Sequence, residues 1–103
     1  EFLARPLSIA KTKHSVPLSL RFPIVKMERS ARVLQRVRVL SLLCPFRSAH
    51  STVLVHWRDN QLVVELEVWS PAALQHAEEQ LDEAIRSVLA EEVKAATKAA
   101  TSS

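Results

Sequence analysis

Five side chains of the ligating kind, His14, His50, His56, His76 and Cys44, are spread along the chain without the short spacings a metal site uses. His50 and His56 are the nearest pair. On an extended strand they point to one side, but six residues place them about 20 Å apart, too far to share an ion. No metal and no cofactor are expected. Glu65 and Glu67 put two carboxylates on one strand face. Acid–base chemistry would require a desolvated cleft and a partner that shifts a pKa. A small open sheet has no such cleft, so the pair is expected to be solvated or to lie in an interface. Ser70 precedes Pro71 and reads as a helix cap rather than a nucleophile. No catalytic residues are expected, and the chain does not read as an enzyme.

Arginine is the other candidate chemistry. Arg29, Arg32 and Arg36, with Arg38, Arg47 and Lys26 nearby, are suited to tracking phosphates. The same spacing also describes a solvated helix face. No pair of aromatic residues accompanies them on a basic sheet face, which argues against stacking of single-stranded RNA. Trp57 falls in the expected core and Trp69 among acids. Backbone contact with a structured RNA stays open.

These residues sit on a chain of 103 amino acids, enough for one domain. It contains no glycine. Phosphate-cradling loops and dinucleotide fingerprints need glycine where the backbone approaches the ligand, so NTPase, kinase and dehydrogenase readings fall away. A single cysteine excludes an internal disulfide and fits a reducing compartment. No apolar run is long enough to span a bilayer, and no membrane contact is expected. Charge is split. Residues 1–58 carry eleven Lys/Arg and two acids, while residues 59–103 carry three and nine. Such a split fits either two faces of opposite sign or a basic arm on a near-neutral body.

Residues 1–13 read as a basic N-terminal arm. Glu1-Phe2 is what a common cloning site encodes, and Phe2 to Met27 holds no acid. The arm therefore fits both a vector-derived leader and a mitochondrial presequence, and Met27 is available as a natural start. Residues 14–93 read as a single α+β domain and residues 94–103 as an alanine-rich tail.

Within that domain, "HSVPLSLRFP" alternates Val16, Leu18, Leu20 and Phe22 against polar residues, a half-buried strand with Pro17 marking a sheet edge. Lys26 to Leu40 follows a helical period. Met27, Val33, Leu34, Val37 and Leu40 share one arc, and Arg29, Arg32 and Arg36 another. Asp59-Asn60 reads as a two-residue hairpin turn. That turn sets Trp57 opposite Leu62 and Val55 opposite Val64. One face then holds only apolar residues, from Val53 to Val68. The other mixes Leu54, His56, Val63, Glu65, Glu67 and Trp69. From Pro71 a second helix lines up Leu74, Ala77, Leu81, Ile85, Val88 and Leu89, with Asp82 and Arg86 spaced for an i,i+4 pair. "KAATKAATSS" has no apolar face and is expected to fray. The order β-α-β-β-α, with a three-stranded antiparallel sheet and both helices on one face, buries every apolar stripe.

"PLSLRFP" followed by "VLVHWRDNQLVVELEVWSPAALQHAEEQLDEAIRSVL" resembles the small dimerisation subunit of the KEOPS complex, the Pcc-type family, over about residues 15–92. Leu62, Val64, Leu66, Leu74, Ala77, Leu81, Ile85 and Val88 stand at its apolar positions. The chain departs from the pattern at three places. Leu74-Gln75 replaces a Leu-Arg pair, Glu79-Gln80-Leu81 replaces an Asn-Ser-Phe stretch, and Asp59 replaces the hairpin glycine. The resemblance implies a non-catalytic scaffold subunit. Such a subunit forms a homodimer and packs against the larger catalytic subunit that makes threonylcarbamoyladenosine in tRNA, in the cytoplasm or nucleus. The expected interface is the mixed sheet face, Leu54, His56, Val63, Glu65 and Trp69, whose apolar members would otherwise meet water. The alternative is a mitochondrial RNA-bound or ribosome-associated protein contacting phosphates through Arg29, Arg32 and Arg36.

Overall fold

The computed structural model describes residues 15–24 and 30–102, with side chains through residue 98. Five elements follow in the expected order: β1 (Val16–Pro23), α1 (Ala31–Leu42), β2 (Leu54–Arg58), β3 (Gln61–Val68) and α2 (Pro71–Ser102). The strands form one antiparallel sheet in the order β1-β3-β2. Since β1 and β2 both run antiparallel to β3, they share a direction. The connection between them must therefore cross the sheet, and α1 makes that crossing.

The hairpin register is the one the hydrophobic pattern demands. Arg58 pairs with Gln61, Trp57 with Leu62 and Val55 with Val64. Asp59 takes φ 55° at the turn, the left-handed conformation that Asp tolerates better than most residues. Leu18, Leu20 and Phe22 of β1 join Leu62, Val64, Leu66 and Val68 of β3 on the covered side. Against them lie Val33 and Val37 from α1 and Ala77, Leu81 and Ile85 from α2. Both helices thus cover one face, and the order β1-β3-β2 makes the proline-bearing strand an edge.

Helix α1 starts later than its period implies. Ser30 has extended backbone angles and its Oγ accepts the Val33 N–H at 3.2 Å, so the first helical residue is Ala31. Lys26 to Arg29, expected as its first turn, lie outside the described residues, as do the arm of residues 1–13 and His14. Beyond the cap, α1 runs two residues past Leu40. The buried Ser41 donates its hydroxyl back to the Val37 carbonyl at 2.9 Å and keeps the inner face satisfied.

The segment between α1 and β2 is folded onto the sheet. Arg47 bridges to Val68 in the lane that β2 occupies further along. Ser51 Oγ accepts the Glu67 N–H at 2.7 Å, and the Arg47 guanidinium donates to the Ser48 and Ser51 carbonyls. A short loop thereby extends the sheet past the end of β2.

Helix α2 continues as helix through Ser102, where fraying was expected. Alanine has the highest intrinsic helix propensity, so lack of an apolar face does not end the helix. At 1.5 Å per residue, α2 is about 48 Å long. Its last core residue is Leu89.

Candidate interaction surface

Two surfaces hold the residues singled out by type. The first is the sheet face away from the helices. Leu54 and Trp69 are exposed there, at 53% and 44%, which is high for large apolar groups. His56 on β2 and Glu65 on β3 lie on adjacent strands, displaced by two residues from direct pairing, and His56 Nε2 is 3.0 Å from Glu65 Oε2. Sequence reasoning placed both residues on this face and missed the contact, although the register already puts them within diagonal reach. Val63 corrects an expectation. It is 3% exposed and is not an exposed apolar group. It sits in the central strand with Arg21 and His56 directly opposite on either side. Glu67 is exposed on the same face.

The second surface is the junction of α1 and α2. Arg36 donates to Glu92 at 2.8 Å and approaches Glu91 at 3.4 Å, while Arg32 Nε lies 3.5 Å from Glu92. The Glu92 side chain is only 13% exposed, so this ion pair is partly shielded from water. Two of the three arginines expected to meet phosphate therefore face carboxylates of their own chain. Arg29 lies outside the described residues. Next to this junction a shallow groove of about 310 Å³ is lined by Gln35, Arg36, Val39, Leu40 and Val88.

The remaining candidates have structural partners. Ser70 Oγ accepts the Ala73 N–H at 3.2 Å and caps α2. Asp82 and Arg86 form their i,i+4 pair at 2.8 Å, and the Arg86 guanidinium also lies 5.3 Å from the centre of the Phe22 ring. His76 stacks on Phe46 with ring centres 5.9 Å apart. Cys44 is buried as a free thiol. Among the described residues no three His, Cys, Asp or Glu side chains converge as a metal site would need, and no helix is long and apolar enough to cross a membrane.

No protein-family model, curated protein or solved structure matches this chain.

Proposed function

We propose that the chain is a non-catalytic dimerisation and scaffolding subunit of a KEOPS-like complex, supporting threonylcarbamoyladenosine modification of tRNA by a larger catalytic subunit. The observation that carries this reading is the one-sided architecture. Both helices cover one face of the sheet, and the other keeps Leu54 and Trp69 in water beside the His56–Glu65 pair. Exposed apolar groups ringed by polar ones are what a protein interface presents before its partner arrives. In this reading the work is geometric. The sheet joins two copies, and the layer built by α1 and α2 holds the catalytic partner.

The rival reading is a monomer that binds a structured RNA through its basic half. Arg32 and Arg36 weigh against it, because Glu91 and Glu92 already neutralise them. Sedimentation with and without a structured RNA, at low and high salt, separates the two. The scaffold reading predicts a dimer whose sedimentation neither RNA nor salt alters. A monomer whose RNA affinity falls steeply with salt would overturn it.

A further inference from the structure

We draw no further inference here: the strongest candidate, the open sheet face on which Leu54 and Trp69 stand exposed beside Glu65 and Glu67, carries nothing beyond the interface already proposed for it, because nothing in the structure shows what covers it.

Discussion

Arg36 reaches across 56 residues of sequence to place its guanidinium 2.8 Å from Glu92. The contact fastens α1 to α2 one turn beyond Leu89, the last core residue of α2. A charge-assisted hydrogen bond with a largely shielded carboxylate stabilises more than a surface pair, though Arg36 itself is one-third exposed and screening reduces the gain. Arg36→Ala should lower stability by about 1 kcal/mol in urea unfolding. Glu92→Ala should cost a similar amount, and the double variant less than the sum of the two. Full additivity would show that the contact carries no coupling.

Asp59 and its φ of 55° make a backbone prediction. A β-branched residue is strained in the left-handed region, so Asp59→Val should cost about 1–2 kcal/mol. Asp59→Gly should be near neutral, because relief of strain offsets the greater freedom glycine brings to the unfolded chain. Thermal unfolding of both variants reads the difference. An equal loss for the two would contradict a turn geometry as the cause.

Leu62 and Trp69 lie near opposite ends of one hairpin arm, and they differ in burial. Leu62 is fully buried in the core, and Leu62→Ala should destabilise by about 2–5 kcal/mol through lost contacts and the cavity left behind. Trp69→Glu, on the exposed side, should stay within about 0.5 kcal/mol of the parent for the monomer. Urea midpoints at low protein concentration check both. A large loss for Trp69→Glu would mean that this side of the sheet is structural.

Ser51 and Ser41 are both buried and differ in what their hydroxyls do. Ser51 is the acceptor for the Glu67 N–H. Ser51→Ala leaves that donor without its partner and should cost about 1–3 kcal/mol. Ser41 merely adds a second donor to the Val37 carbonyl. Ser41→Ala should cost less than about 1 kcal/mol. The order of the two melting temperatures decides. If Ser41→Ala is the more damaging, the loop lane beside β3 is not held as described.

The hairpin, the Ser70 cap and the Asp82–Arg86 pair were legible because each is local. Alternation fixes a register, and a cap or an i,i+4 pair is set within a few residues. The Arg36–Glu92 contact was not legible, since both residues look solvated on their own helices and only the packing of α1 on α2 brings them together. Val63 shows a similar limit. Its face is mixed in sequence, but its place in the middle strand buries it all the same. The helical run of α2 to Ser102 leaves no hydrophobic pattern in the sequence, because alanine carries helix propensity without an apolar stripe. The loop lane formed by Arg47 and Ser51 leaves no periodic trace, so only the three-dimensional register reveals it.

The central claim is that two copies of this chain associate through the sheet. Light scattering in about 1 M salt, where charge contacts are screened beyond about 3 Å, measures it most directly. The account predicts a mass of twice 11.6 kDa, held as salt is raised. A mass of 11.6 kDa at every accessible concentration would contradict it.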